Sequence, residues 1–322
     1  MARIFRFLAP LAIVGIISNN YVVAELSDIE SDGSLLLNNE ECGKRHYEKS
    51  EFPVNSRLFE HPWLVRFGFK RDDLVINIFQ GLLIHKEYVL TTVHVARFED
   101  FGQLTYARLG EYNTTSDRDC IEGNSNQNKD CAPAVQDILV DVVIPHPDFN
   151  LFKQSNNIAL VKLRSAANIN GLSVVPICLN QELDVEAFLY TASWCGRRDT
   201  GLSMVPKQYQ LEKISPQDCS DRMPGYTIHL TDGMFCVIFG KTHRTPQADK
   251  KKEPNLRGGN GGPIFTVQGD NKIYLIGLLS YGPRYPAALD QPYIITPVAP
   301  YYNWFTETIQ SDLEKRKYTS FT

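Results

Sequence analysis

The chain has 322 residues, 43% of them hydrophobic and 22% charged, which is enough length and apolar content for one large or two small packed domains. A formal net charge of -4 gives no electrostatic footprint for nucleic-acid binding. The run Lys250-Lys251-Lys252 is flanked by Asp249 and Glu253 and reads as a solvated loop.

At the N-terminus, Arg3 and Arg6 precede an apolar stretch at 7–17, and Val22-Val23-Ala24 supplies the small residues a signal peptidase needs. Residues 1–24 therefore read as a secretory signal peptide. The apolar run is too short for a membrane span and Asn19-Asn20 interrupt it. Residues 25–41 are acidic, without sustained periodicity, and read as a flexible leader; Cys42-Gly43 begin the folded part. Secretion makes disulfides the default fate of the seven cysteines, and with no C-x-x-C pair among them structural zinc is a poor fit. The odd number leaves at least one thiol free or paired between chains.

From Pro62 onward, short apolar or alternating runs are separated by turn residues. Strands are predicted at 63–69, 74–84, 88–93, 104–109, 135–144 and 158–163, then at 188–194, 209–214, 234–238, 263–267, 273–281 and 293–296. Many short strands without helical patterns between them indicate an all-β sandwich or pair of barrels. One helix is predicted, near the C-terminus, where Tyr302, Phe305, Ile309 and Leu313 recur at three and four residues.

The stretch most unlike ordinary turn sequence is Leu256-Arg257-Gly258-Gly259-Asn260-Gly261-Gly262-Pro263, which leads into Ile264-Phe265-Thr266-Val267. Four glycines permit a tight turn with exposed backbone amides, and Asn260 stands alone in its middle as a polar side chain. Two other segments carry candidate chemistry. Thr91-Thr92-Val93-His94-Val95-Ala96 ends a strand with a histidine, and Asn157-Ile158-Ala159-Leu160 begins one with a carboxamide.

Taken together, these segments resemble the chymotrypsin-like serine proteases over residues 42 to 305. Further matches are Pro62-Trp63, Gly81-Leu82-Leu83-Ile84, Pro176-Ile177-Cys178-Leu179, Trp194, Ser280-Tyr281-Gly282 and Trp304. The stretch from Leu109-Gly110-Glu111-Tyr112 through Cys120 and Cys131 to His146-Pro147-Asp148 is similar to the protease domain of arthropod clip-domain proteases. The resemblance implies an all-β fold of two six-stranded antiparallel barrels with a C-terminal helix over 42–310 and a tail at 311–322. No clip domain fits in the cysteine-free leader.

The resemblance also shows what is missing. His94 matches the general base, but Asn157 stands where the orienting carboxylate belongs and Asn260 where the serine belongs. An amide in place of that carboxylate costs about 10⁴-fold in the family's worked case. Asn260 is worse, because its nitrogen lone pair is delocalised into the carbonyl and gives no nucleophile on deprotonation by His94. The amides of Gly258 and Asn260 match the oxyanion hole. Gly259 replaces the aspartate that pairs with the new N-terminus on activation, and residues 50–53 lack the matching apolar and glycine start.

In the substrate pocket, Pro254 falls where an aspartate selects basic residues, Leu256 and Tyr285 replace two bridging cysteines, and Tyr293 replaces a wall glycine. A blocked pocket follows from that phenol. Phe79 and Val95 replace the disulfide beside the histidine. By resemblance the remaining bridges are Cys42–Cys178, Cys120–Cys131 and Cys219–Cys236. Cys195 is left over, as a buried thiol or as the site of an intermolecular bridge. Asn113-Thr114-Thr115 is an N-glycosylation acceptor. Glu111 with Asp117, Asp119 or Glu122 is either a calcium site, as in some members, or a set of solvated acids; no other cofactor is implied.

These readings together describe a secreted, inactive serine protease homologue that regulates an extracellular proteolytic cascade, such as arthropod immunity or melanisation, by binding other secreted proteins. The alternative is a serine-type endopeptidase or hydrolase with residual activity.

Overall fold

The computed structural model describes residues 37, 41–47, 54–121, 130–179, 188–197, 201–223, 230–231, 233–241, 255–283 and 290–319. The expected signal peptide, nearly all of the leader, Glu122, Pro254 and Tyr285 lie outside these residues.

Two closed antiparallel six-stranded barrels make up the molecule. The first comprises β1 (Leu64–Arg71), β2 (Leu74–His85), β3 (Tyr88–Thr91), β4 (Gln103–Leu109), β7 (Gln136–Pro145) and β8 (Ala159–Leu163), closing in the order β1-β2-β3-β8-β7-β4. The second comprises β9 (Leu189–Ser193), β12 (Lys207–Ile214), β13 (Phe235–Phe239), β14 (Pro263–Val267), β15 (Ile273–Tyr281) and β16 (Tyr293–Pro297), closing in the order β12-β13-β16-β15-β14-β9. Two ribbons too short to leave a periodic signal lie outside the barrels: β5 (Cys120–Ile121) with β6 (Asp130–Cys131), and β10 (Gly196–Arg197) with β11 (Gly201–Leu202). Helices α1 (Val93–Ala96) and α2 (Pro216–Asp221) are single turns, capped by the hydroxyls of Thr92 and Ser215.

Strand alternation sorts the core into compartments. Along β3, Val89 points into the first barrel while Tyr88 and Leu90 join a cluster shared by both barrels. The same split recurs at β2, where Leu83 faces the barrel interior and Leu82 and Ile84 face the seam. Trp63, Trp194, Phe265 and Leu278 meet these residues in the seam, and a separate cluster fills the second barrel around Leu211, Val237 and Ile295. Because the inward half of β2 is buried on both faces, its sequence reads as the continuous run Gly81-Leu82-Leu83-Ile84 rather than as an alternation.

Helix α3 (Tyr302–Thr319) packs Phe305 and Ile309 on this seam. It does not end at residue 310. Its continuation reaches the first barrel, where Asp312 accepts hydrogen bonds from the Tyr88 hydroxyl (2.8 Å) and Lys162 Nζ (2.6 Å), and Arg316 grips the Glu87 carboxylate with two bonds of 3.0 and 2.7 Å. Three disulfides hold the periphery: Cys42–Cys178, Cys120–Cys131 across the β5–β6 ribbon, and Cys219–Cys236 between α2 and β13.

Candidate functional site

The glycine turn is folded by its own backbone. Gly259 N–H donates to Leu256 O and Gly262 N–H to Gly259 O, each at 2.9 Å, and Gly261 and Leu279 fasten the turn to β15. Gly258 and Gly261 adopt φ of +81° and +80°, which a residue with a Cβ resists. A Cβ on Gly261 would lie 2.1 Å from the Gln80 carbonyl oxygen and 2.4 Å from Thr91 Oγ1. The turn therefore lies directly against β2 and β3 of the other barrel, and the Gln80 N–H donates to Asn260 O at 3.3 Å across the boundary. Gln80 Oε1 also accepts the Trp194 amide at 3.3 Å.

His94 sits in α1, between buried Val93 and Val95, and is itself partly buried. Asn157 is fully buried ahead of β8, and its Oδ1 accepts the backbone N–H of His94 at 3.2 Å. Asn157 Nδ2 is buried without a hydrogen-bond partner among the described residues. The imidazole Nδ1 instead pairs with the Tyr281 hydroxyl at 3.1 Å, and the ring packs edge-on against Tyr281 and Phe149. Burial lowers the His94 pKa below the usual imidazole range, with Asn157 acting in the opposite direction. His94 thus has a neutral phenol and a carboxamide beside it, and neither stabilises an imidazolium as a carboxylate does.

Tyr281 reaches His94 because the β15–β16 ladder shifts register between Leu279 and Tyr281. Such an irregularity re-aims the residues that follow it. It also presents the Ser280 carbonyl, which accepts Asn260 Nδ2 at 3.1 Å and pins the carboxamide. Asn260 and His94 are thereby each tied to adjacent residues of one strand end. Nothing in the sequence spacing shows that a phenol 187 positions downstream meets the histidine.

The amides of Gly258 and Asn260 donate to no acceptor among the described residues. At Gly259 a Cβ would approach Ser193 Oγ at 2.8 Å and Leu256 O at 3.0 Å, so a carboxylate has no room there unless Ser193 moves. Leu256 is buried, and its N–H donates to the Tyr293 hydroxyl at 3.3 Å. Tyr293 packs edge-on against Phe239, and burial raises its pKa. The phenol narrows the pocket without sealing it, because a cleft of about 200 Å³ persists between Asn255, Arg257, Asn260, Leu279, Pro283 and Tyr293.

Phe79 has φ +61° and joins Phe69, Phe98 and Phe101 in an aromatic cluster, with Val95 in the same compartment. Cys195 is buried, and burial pushes its thiol pKa up to about 11. Asn113 Oδ1 accepts from the N–H and hydroxyl of Thr115, an Asx turn at the sequon.

Two of the calcium candidates, Glu111 and Asp119, have partners within the protein. Glu111 pairs with Arg108 at 3.4 Å and accepts the Tyr112 N–H at 3.0 Å, while Asp119 accepts the Asn113 N–H at 3.0 Å and the Ser116 hydroxyl. No group of three or more acidic, histidine or cysteine residues is placed to hold a metal among the described residues.

Comparison with known proteins places this geometry in context. The family profile named Trypsin matches residues 53–305. CLIP domain-containing serine protease HP8 of Bombyx mori is 27% identical over 291 residues, spanning 86% of this chain and 74% of that protein. Melanization protease 1 of Drosophila melanogaster is 27% identical over 284 residues, spanning 84% and 68%. The crystal structure of Drosophila Grass, a clip serine protease of the Toll pathway, superposes with a TM-score of 0.72 over 88% of this chain and 78% of that one, at 21% identity. That last likeness concerns the fold.

Proposed function

Because the chain belongs to the trypsin family, we propose that it is a secreted member whose cleft binds proteins without cutting them and which acts as a regulatory cofactor among cascade proteases. The observation that carries this reading is the Asn260 carboxamide: it occupies the nucleophile turn and donates to Ser280 O, where the reaction needs a hydroxyl. The Tyr281 phenol at His94 Nδ1, where an orienting carboxylate is needed, supports it. Relatives named for melanisation and phenoloxidase activation support the cascade setting. Secretion draws support from the apolar N-terminal segment and from the three disulfides. Among the described residues no helix is long and apolar enough to cross a membrane.

Purified protein incubated with fluorogenic peptides and a fluorophosphonate probe tests the reading. Neither turnover nor labelling is expected. Activity that disappears in His94→Ala would overturn it in favour of a residual hydrolase, a reading that the unoccupied Gly258 and Asn260 amides keep chemically coherent.

A further inference from the structure

Residues 54–61 precede the first strand and are fastened to both barrels from outside. Asn55 bridges Lys207 at the start of β12, Ser56 N–H donates to Pro206 O at 2.9 Å, and Gln208 N–H donates to Val54 O at 2.8 Å. On the other side the Tyr112 hydroxyl donates to Ser56 O at 2.9 Å. Leu58 and Phe59 join neither barrel core; with Ala132 they form a small cluster of their own, and Phe59 holds a strained φ of +68°. A unit so attached can open while both cores stay intact.

Its innermost residue is His61, whose tautomer the neighbours dictate. The Glu60 carboxylate is kept ionised by Arg57 at 2.7 Å and only accepts, so the Gln208 amide nitrogen must face it, at 3.2 Å. Gln208 Oε1 then faces His61 Nε2 at 2.8 Å, and Nε2 carries the hydrogen. His61 Nδ1 is thereby a bare acceptor, buried without a partner among the described residues. His61 lines a cavity of about 20 Å³ with Ser56, Glu60, Glu111, Tyr112 and Ser173, which is room for one water able to deliver a proton.

We infer that residues 54–61 are an acid-released latch: a proton on His61 Nδ1 undocks them from β12 while both barrels stay closed. The ring lies against Trp63 and, in β14, Phe265, neither of which solvates a charge. Burial is the main force holding the docked imidazole neutral down to about pH 4; Arg45 and Arg57 add to it, and Glu60 and the Gln208 bond oppose it. Tyr47, stacked on Arg57, and Tyr112 have pKa values raised by burial and stay neutral. Glu111, paired with Arg108, also has its pKa raised by burial and is the other acid at the cavity. Once released, His61 takes up a proton near the ordinary value of about 6.5. The docked state is therefore fully favoured above pH 6.5 and loses that advantage as pH falls toward 4. The latch does not depend on whether the cleft cuts peptides.

Hydrogen–deuterium exchange of the whole protein at pH 7.5 and pH 5, corrected for intrinsic amide rates, tests this. Protection of the Ser56 and Gln208 amides should fall about 30-fold between the two conditions. At both it should lie below that of the β8 amides, which marks opening of the segment alone. His61→Gln should shrink the fall to within about threefold, whereas Glu111→Gln should keep it. Unchanged protection in the native protein, a fall that survives His61→Gln, or one that disappears in Glu111→Gln would overturn the inference. So would protection at Ser56 and Gln208 equal to that of β8, because only global unfolding would then expose the segment.

Discussion

Substituting Gly261 by alanine should destabilise the protein far more than the same change at Gly201, although both glycines have φ near +80°. At Gly201, with φ +76°, an added Cβ meets nothing within 4 Å, so only the left-handed backbone resists, at about 1–2 kcal/mol. At Gly261 the same term applies, and the Cβ also lands 2.1 Å from Gln80 O and 2.4 Å from Thr91 Oγ1. Neither can rotate away freely, because the Thr91 hydroxyl donates to that carbonyl at 2.7 Å and the Gln80 N–H is bonded to Asn260 O. Loss of both bonds adds about 1 kcal/mol each, for a total of about 3–4 kcal/mol. Gly258→Ala is the internal control: its obstruction is Leu202 Cδ2 at 2.5 Å, the far end of a side chain that can move. Urea denaturation followed by tryptophan fluorescence gives the three values side by side. If Gly261→Ala falls within 1 kcal/mol of Gly201→Ala, the contact between the turn and the other barrel is not what fixes the turn.

Acid should weaken the fold through His61. This imidazole is buried, its Nε2 is 2.8 Å from Gln208 Oε1, and burial depresses its pKa to about 4 while Glu60 opposes the shift and Arg45 and Arg57 add to it. The unfolded chain takes up a proton near the ordinary value of about 6.5, whereas the folded one does not until about pH 4. Stability present above pH 6.5 is therefore lost as pH falls toward 4, by about 3 kcal/mol, and His61→Gln should flatten that slope in urea titrations at pH 7.5, 6 and 5. Cys195 should resist Ellman's reagent in the native protein, and one thiol per chain should react in denaturant without reductant, since the other six cysteines are paired; rapid native labelling would contradict its burial. Protein secreted from insect cells should carry an N-glycan at Asn113, seen as a mass decrease on glycosidase treatment that Asn113→Gln abolishes. An identical mass before and after treatment would refute use of the sequon.

The strands were legible because each carries its own record of alternation and bounding turn residues, whereas their closure into two barrels rather than a sandwich was implied by the family resemblance that Pro62-Trp63 and Trp194 help to carry. Elements of two residues, such as β10 and β11, are held by pairing rather than by propensity and leave no period to read. The helical recurrence reaches Leu313, but the extension of α3 to Thr319 was hidden because its last turns bind through Asp312 and Arg316, charged residues that look solvated in a linear sequence. At the site, Asn157 and Asn260 could be picked out from their neighbours in sequence. Their partners could not: the register shift after Leu279 decides that Tyr281 meets His94 and that Ser280 holds Asn260. Tyr293 was expected to block the pocket on size alone, but its hydroxyl is drawn to the Leu256 amide, which leaves part of the cleft open.

The reach of α3 onto the first barrel also orders events in time. Tyr88 and Glu87 receive their partners from residues 224 and 229 positions downstream. During synthesis the first barrel can close its strands long before those partners leave the ribosome, so this edge stays bare until the last helix emerges. Of the described elements, α3 is thus the last to find its place.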